Sequence, residues 1–387
     1  MLAIILAAGE GYRLRPLTTY MPKVMLPVGN KPILEYVIDA LRENEVKEIK
    51  LVVGYRSDKI KQYFGNGSEF GVHIEYVEQK KQLGTAHALY QAKVDEEFIL
   101  LYGDNMIESA CVKELLNSEI NTIMGTYSSK PSRYGVIEAR GKKLVKIKEK
   151  PAMKEEAVVF TGMGHFDGEI FKVIEEKMKE DMYKLPDVLN SMDLKIKVLD
   201  CGWRDAIYPW DLLELNSHSL SKNVRKLAGK IEESIIIGNV EIGENTRIGA
   251  GTYIRGNVRI GENCEIGPNS VIIGDTSIGE GVRIGALSYI ENSIIMDDTS
   301  IGANAFIKDS VIGREVTIGT KFITISNRTE KIVEGEIIEI EGSAVIGDGA
   351  TIGSVVVVHP GVIVGSNSKI GDLKVLEKDV ANRESVR

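Results

Sequence analysis

The stretch Ala7-Ala8-Gly9-Glu10-Gly11-Tyr12-Arg13-Leu14-Arg15-Pro16, taken with the residues up to Asn30, decides how the first part of the chain folds. Leu2 to Leu6 before it is a short apolar run. Such a run, ending in small residues and glycine, predicts a buried parallel strand that feeds a glycine-rich loop. Glycine lets the backbone take positive φ and bring N–H groups close to an anion, and the missing side chains leave room for phosphate oxygens. The segment lacks the Gly-x-x-x-x-Gly-Lys-Ser/Thr spacing of a P-loop, and Leu14 stands where a dinucleotide fingerprint needs its third glycine. The loop and its C-terminal flank are basic and punctuated by proline: Arg13 and Arg15, then Met21-Pro22-Lys23-Val24-Met25-Leu26-Pro27, then Lys31-Pro32-Ile33-Leu34-Glu35-Tyr36. Arg13 and Lys23 offer fixed positive charge to a triphosphate. The plain alternative is a solvated basic loop leading into a helix that starts at Pro32.

Working outward, Ile33, Leu34, Val37, Ile38 and Leu41 repeat at helical spacing, and Ile49 to Gly54 reads as the next strand. A helix over Asp58–Phe64, a strand over Val72–Val77, a helix over Ala86–Ala92 and a strand over Phe98–Tyr102 continue the alternation, which predicts an α/β domain with a Rossmann-like, mostly parallel sheet. Ligands of such sheets sit beyond the carboxyl ends of strands, where the first glycine loop and Gly103-Asp104 both fall. Strand-like Ile123–Tyr127, Gly135–Glu138, Leu144–Glu149 and Phe160–Phe166, with a helix over Ile170–Lys179, suit a smaller, partly antiparallel extension, and Trp210–Lys226 reads as a helix leading out of a first domain, residues 1–231.

After Lys230 isoleucine recurs every sixth residue from Ile236 through Ile242, Ile248, Ile254, Ile260, Ile266, Ile272, Ile278 and Ile284 to Ile290. The register slips by one at Asp297-Asp298, resumes at Ile301 and Ile307, slips again to Ile312 and Ile318, and returns in Ile346, Ile352, Val358, Val364 and Ile370. A six-residue period matches neither helical repeat, and the frequent glycines oppose helix. It is the hexapeptide repeat of a parallel β-helix, with the aliphatic residue inside each coil, and it assigns residues 232–387 to a second domain. Residues 321–342 interrupt the period with a charged insertion, expected as a loop or hairpin.

Composition bounds the function. A chain of 387 residues suggests two or three domains at about 150 residues each. The net charge of -8 argues against nucleic acid or an anionic membrane as the main partner. Cys111, Cys201 and Cys264 share no metal-ligand spacing and are expected as separate reduced thiols, with no disulfide framework. No signal peptide and no run near 18 apolar residues is present, so a cytoplasmic protein is expected.

The N-terminal elements resemble the nucleotide-binding signature of sugar-1-phosphate nucleotidyltransferases, Leu-Ala-Ala-Gly-x-Gly-x-Arg-Leu-x-Pro-Leu-Thr followed by Pro-Lys. That resemblance implies transfer of a nucleotidyl group from dTTP or UTP to a sugar 1-phosphate, with Mg2+, and a β-helix of the left-handed type. Leu6, Ala8, Gly9 and Gly11 would bind nucleotide, and Arg13 and Lys23 would be catalytic. Asp104, in Leu100-Leu101-Tyr102-Gly103-Asp104-Asn105, and Asp205, in Gly202-Trp203-Arg204-Asp205, resemble the metal-binding aspartates, although Ala206-Ile207-Tyr208 departs from the usual Asp-Ile-Gly-Thr and a turn or helix cap also explains Asp104. Glu78 to Ala88 resembles the base-reading segment: Gln79 has the donor and the acceptor a pyrimidine edge requires, and Gly84 and Thr85 would lie beside it. A polar helix start with Thr85 near the cap is the alternative, and His87 is expected to pack. Arg133-Tyr134-Gly135-Val136, Lys148-Glu149-Lys150-Pro151 and Thr161-Gly162-Met163-Gly164 resemble sugar-site motifs. Glu149 would accept from sugar hydroxyls, Lys150 would pair with the sugar phosphate, and Gly135 and Gly164 would admit the ring beside Tyr134.

The competing reading is a bifunctional enzyme whose β-helix also acetylates glucosamine 1-phosphate from acetyl-CoA. Its general base would be a histidine, and the repeat domain offers only His359, without the Asn-Tyr-Asp-Gly segment of that family. Val240, Val258, Val282 and Tyr289 are expected at outward positions, where apolar residues suit a partner subunit, and the resemblance implies a homotrimer through the β-helix.

Overall fold

The computed structural model describes residues 1–333 and 335–387, so Glu334 in the charged insertion lies outside the described residues. The chain separates into two compact units. One contains Met1–Glu10, Pro22–Met25 and Pro32–Asp205; the other contains Gly11–Met21, Leu26–Lys31 and Ala206–Arg387.

The first unit is built on a nine-stranded sheet. In spatial order its strands are His73–Glu78, Glu48–Val53, Leu2–Ala7, Phe98–Tyr102, Ala157–Phe166, Thr122–Ser128, Lys195–Leu199, Lys143–Glu149 and Gly135–Arg140. The first four are mutually parallel, with Leu2–Ala7 central and buried, as a continuous apolar run covered on both faces must be. Ala157–Phe166 runs antiparallel to both its neighbours and turns the sheet from parallel to mixed. Helices α1 (Ile33–Glu43), α2 (Ser57–Phe64), α3 (Thr85–Gln91), α4 (Ser109–Leu116), α5 (Ile170–Lys179) and α6 (Leu185–Leu189) complete the unit. In α1 the buried residues are Ile33, Leu34, Val37, Ile38, Ala40 and Leu41, the apolar face that the spacing predicts.

One expectation fails here. Cys111 on α4 and Cys201, just beyond strand Lys195–Leu199, are not separate thiols but a disulfide linking Cα atoms 5.4 Å apart across 90 residues. Sequence spacing cannot reveal a pair that only tertiary folding brings together. Cys264 is free and buried.

The second unit is the β-helix, led in by α7 (Asp211–Leu220), which ends earlier than expected because Lys226–Leu227 already ladders with Glu241-Ile242. Successive coils stack in parallel and in register: Ile236 on Ile254, Ile254 on Ile272, Ile272 on Ile290. The interior isoleucines from Ile242 to Ile370 form one continuous core. The first slip falls at Asn292-Ser293, not at Asp297-Asp298, and beyond it Ile278 still meets Ile295 and Ile284 still meets Ile301. Asn327–Val333 and Glu336–Gly342 form the antiparallel hairpin of the insertion, while Ile323–Thr324 before it stays in the coil ladder against Val357-Val358.

The assignment of outward residues needs correction. Val240, Val258 and Val282 are fully buried, because the interior takes a second small apolar or hydroxyl residue two positions before each of Ile242, Ile260 and Ile284. Tyr289 does point outward, in an apolar column whose other members are Ile235, Tyr253, Val271, Phe306, Ile323, Val357 and Val375, stacked in consecutive coils with the Tyr289 and Phe306 rings parallel at 4.9 Å.

Candidate active site

Three charged side chains converge within the first unit although the sequence separates them widely. Asp104 follows strand Phe98–Tyr102, and Asp205 ends the short strand Arg204–Asp205, which ladders antiparallel with Asn105–Met106 and sets Asp205 opposite Asn105. Lys23 Nζ donates to Asp104 Oδ2 at 2.7 Å and to Asp205 Oδ1 at 2.6 Å. Lys23 is buried, and a buried ammonium survives only when paired. Burial by itself lowers its pKa, but the charges and hydrogen bonds of Asp104 and Asp205 outweigh that and raise it above the ordinary lysine value.

The arrangement suits a hard divalent cation. Magnesium is commonly held by one or two carboxylates and completed by substrate phosphates, not by a full protein cage. No cluster of three or more His, Cys, Asp or Glu side chains able to hold a metal occurs among the described residues. Asn105 Oδ1, in the ladder between the two aspartates, is buried with no hydrogen-bond partner among the described residues. The donor set therefore fits such an ion at Asp104 and Asp205.

The residues of the motifs expected to bind the sugar phosphate lie partly together. Gly135 pairs with Glu149 across adjacent strands, and a Cβ at Gly135 would stand 2.9 Å from Ile147 and 3.4 Å from Glu149 Oε1. Lys150 N–H donates to the Tyr134 carbonyl at 2.9 Å. The Tyr134 ring meets Trp203 edge-on at 5.4 Å, and Trp203 Nε1 donates to the Thr161 carbonyl at 3.1 Å. Glu149 and Lys150 are exposed. Gly164 is not among these groups: it lies in the sheet opposite Leu100 and Ile123, and a Cβ there would meet the Phe166 ring at 2.4 Å. Gly162 of the same motif, at φ 77°, lies beside Tyr102, where a Cβ would stand 2.4 Å from the ring.

Tyr102 escapes sequence reasoning, although its place directly before Gly103-Asp104 at a strand end is the available signal. Burial drives its hydroxyl pKa upward, a hydrogen bond with Thr85 opposes this, and the charges of Asp104 and Glu149 add to the rise. One side chain thus senses all three groups.

At the nucleotide loop, Leu6 and Ala8 are buried, and Gly9 has no atom within 4 Å of a built Cβ. The Ala8 carbonyl accepts from Tyr55 N–H at 3.1 Å and from Gln82 Nε2 at 2.9 Å. Gln82 is a second residue that its sequence context does not single out. Gln79 is buried, and its Nε2 donates to the Gly84 carbonyl at 3.1 Å and to His87 Nδ1 at 2.9 Å. Burial lowers the His87 pKa, which favours the neutral ring that can accept. Gly84 is required by packing, since a Cβ would lie 2.3 Å from the Tyr183 carbonyl oxygen, and Thr85 Oγ1 accepts from Leu185 N–H at 2.8 Å.

Gly11 and Arg13 belong to the second unit. Gly11 has φ 73° and caps the turn Tyr12–Leu14, its carbonyl accepting from Thr18 Oγ1 at 3.0 Å, and the Arg13 guanidinium lies over the Tyr12 ring at 5.5 Å. Within that unit Ser366 Oγ donates to the Pro16 carbonyl at 3.1 Å and Asn367 Nδ2 to the Tyr20 hydroxyl at 2.9 Å. Leu26–Lys31 is held likewise: Gly29 N–H donates to Asn216 Oδ1 at 2.8 Å, Arg259 donates to the Gly29 carbonyl at 2.5 Å, and Asn30 Nδ2 donates to the Ile278 carbonyl at 2.6 Å.

Comparison with known proteins agrees with this architecture. Residues 2–222 match the nucleotidyl transferase family, residues 254–341 the GMPPB C-terminal domain, and residues 343–378 the bacterial transferase hexapeptide of six repeats. The chain is 36% identical over 405 residues to the bifunctional protein GlmU of Methanococcus maripaludis, covering 99% of this chain and 96% of that one. It is 32% identical over 408 residues to the bifunctional sugar-1-phosphate nucleotidylyltransferase/acetyltransferase of Sulfurisphaera tokodaii, covering 99% of both. Among solved structures, a Bacillus anthracis chain described as a "Putative Glucose-1-Phosphate Thymidylyltransferase" shares 26% identity at a TM-score of 0.52, covering 58% of this chain and 98% of that one. No helix among the described residues is long and apolar enough to cross a membrane. This chain is a member of the nucleotidyl transferase family and a transferase, with a hexapeptide-repeat left-handed β-helix behind its α/β unit.

Proposed function

We propose that the chain joins a pyrimidine nucleoside triphosphate, dTTP or UTP, to a sugar 1-phosphate. A phosphate oxygen of the sugar attacks the α-phosphorus, the bond to the β-phosphate oxygen breaks, and pyrophosphate leaves. The observation that carries this reading is the buried Lys23 ammonium between Asp104 and Asp205. The reaction gathers several negative charges in one place, and phosphoryl-type transfer leaves the protein little to do beyond positioning and neutralising them. Mg2+ held by Asp104 and Asp205 would neutralise phosphate charge. Lys23, kept protonated by the same carboxylates, supplies a fixed positive charge for phosphate oxygens, and Arg13 a second. Gln79 with Gly84 and Thr85 reads the base, and Tyr134, Gly135, Glu149 and Lys150 bind the sugar phosphate. Pyrophosphate release over a grid of triphosphates and sugar 1-phosphates tests the proposal; no turnover with any pair that includes dTTP or UTP refutes it.

Acetyl transfer by the β-helix is the second reading, favoured by the bifunctional names of relatives that match along 99% of this chain. His359, half-buried after Val357–Val358, is its candidate base. Adding acetyl-CoA and glucosamine 1-phosphate to the same assay tests it by thiol release. We also propose a homotrimer through the outward column Ile235 to Val375, since a stripe of stacked apolar residues along successive coils is what a second copy would cover. A monomer by light scattering would remove that proposal.

A further inference from the structure

The segment Cys201-Gly202-Trp203-Arg204-Asp205 is fixed at every residue, and the disulfide is its one covalent link outside the main chain. Cys201 is bonded to Cys111, a buried residue of α4. Gly202 lies so close to Glu108, directly before α4, that a Cβ would stand 2.2 Å from its carboxyl carbon. Trp203 reaches the Thr161 carbonyl and the Tyr134 ring, Arg204 and Asp205 ladder with Met106 and Asn105, and Asp205 accepts from Lys23. The hydrogen bonds and ring contact are individually worth little against water, and a ladder of two residues has no cooperative length. The strap also lies directly after strand Lys195–Leu199, so without the disulfide nothing but weak contacts would hold its first half.

We infer that Cys111 and Cys201 are positioning residues for the carboxylate centre: their disulfide sets the strap so that Trp203 and Asp205 are preorganised, and its reduction by a dithiol loosens both. The exchange is balanced, the cystine taking two hydrogens to give two thiols while the dithiol closes to its own cyclic disulfide. Cys111 is buried and Cys201 half-buried. The functional consequence rests on the nucleotidyl transfer proposed above, and metal-ligand supports of this kind affect affinity or activity by about 10–100-fold.

The test uses the full chain purified without reductant. Thiols are counted in denaturant, because burial pushes the Cys264 thiol up to about 11 and slows its labelling in the native fold. One thiol is expected, against three after dithiothreitol; three at the outset overturns the inference. Trp203 emission is then followed during reduction, with Trp203→Phe identifying the contribution of Trp210. A change in the Trp203 signal that Cys111→Ser with Cys201→Ser reproduces supports the clamp, and an unchanged signal overturns it. With active enzyme, reduction should raise the Mg2+ concentration for half-maximal turnover by about tenfold. If no triphosphate and sugar phosphate pair reacts while the Trp203 signal still shifts, the clamp stands and the functional proposal falls.

Discussion

Ile272 in the β-helix and Lys23 in the α/β unit are both buried, and little else about them is alike. Ile272 lies between Ile254 and Ile290 in a column where each coil repeats the contact of the last. Its role is held in many copies along the chain, and the column tolerates a one-residue slip, beyond which the same contacts resume. Lys23 occurs once, between two aspartates 81 and 182 residues away. The repeated contact gives stability by addition of nearest-neighbour terms. The single contact is the one proposed to give chemistry, and no neighbour can replace it. Damage to the column should therefore appear as lost stability with chemistry intact, and damage to the centre as lost chemistry.

The largest effect is expected at the centre. Asp104→Asn should lower turnover by roughly two or more orders of magnitude, if placing the cation supplies about 3 kcal/mol or more of transition-state stabilisation. Lys23→Met should cost a similar factor but differ in one respect. It removes the ammonium that occupies the two carboxylates, so Mg2+ titrated in the absence of substrates should bind more tightly than to the native protein while turnover falls. Near-normal turnover of either variant in a pyrophosphate-release assay would end the comparison, because the centre would then be only a buried salt bridge.

Ile272→Ala is the converse. Truncating a fully buried isoleucine costs about 2–5 kcal/mol through lost burial and the cavity left behind, and denaturant unfolding of the β-helix would read it. Below the unfolding transition kcat and KM for nucleotidyl transfer should stay as they were. A loss of kcat comparable to that of Asp104→Asn would show that the column does more than hold itself together.

The same contrast separates what the residues announce from what only folding reveals. The β-helix is legible because six-residue spacing is a property of the string itself, and counting alone finds every buried isoleucine from Ile242 to Ile290. Which other residues point inward is less so: Val240, Val258 and Val282 look like surface residues until the coils are built, since the period marks one interior position per hexad and is silent on the next. In the α/β unit, Lys23, Asp104 and Asp205 are legible only through a resemblance of motifs, and that they meet at 2.6–2.7 Å is a product of the fold. The Cys111–Cys201 bond and the position of Tyr102 beside Gly162 are tertiary facts with no local signature.

Gln79→Ala should have a moderate effect, confined to selectivity. The side chain is buried and its amide hydrogens bind Gly84 and His87, so the substitution removes the group proposed to read the base and slackens the segment that carries it. Discrimination between pyrimidine and purine triphosphates, measured as a ratio of kcat/KM values, should fall by about tenfold or more. An unchanged ratio would place base recognition elsewhere, with Gln82 the next candidate.

The smallest expected effect sits where the two kinds of structure share a segment. Gly11–Met21 carries Arg13, proposed to neutralise the triphosphate, yet it belongs to the same compact unit as the β-helix. The Ser366 hydroxyl, buried in a late coil, donates to the Pro16 carbonyl, and a Cβ at Gly347 would lie only 2.8 Å from Pro16. Ser366→Ala leaves that carbonyl with the Thr19 N–H as its remaining donor and removes one hydrogen bond, at a cost of about 1 kcal/mol. If the cost falls on the position of the loop, KM for the triphosphate should rise about fivefold while the KM for sugar 1-phosphate and the unfolding midpoint change little. If it falls on the coil, the midpoint should drop and both KM values should hold. The first result would mean that a late coil steadies the loop that carries Arg13 within the same unit, and that residues 1–231 alone would be an impaired enzyme. The second would keep the two halves as separate as their sequences suggest.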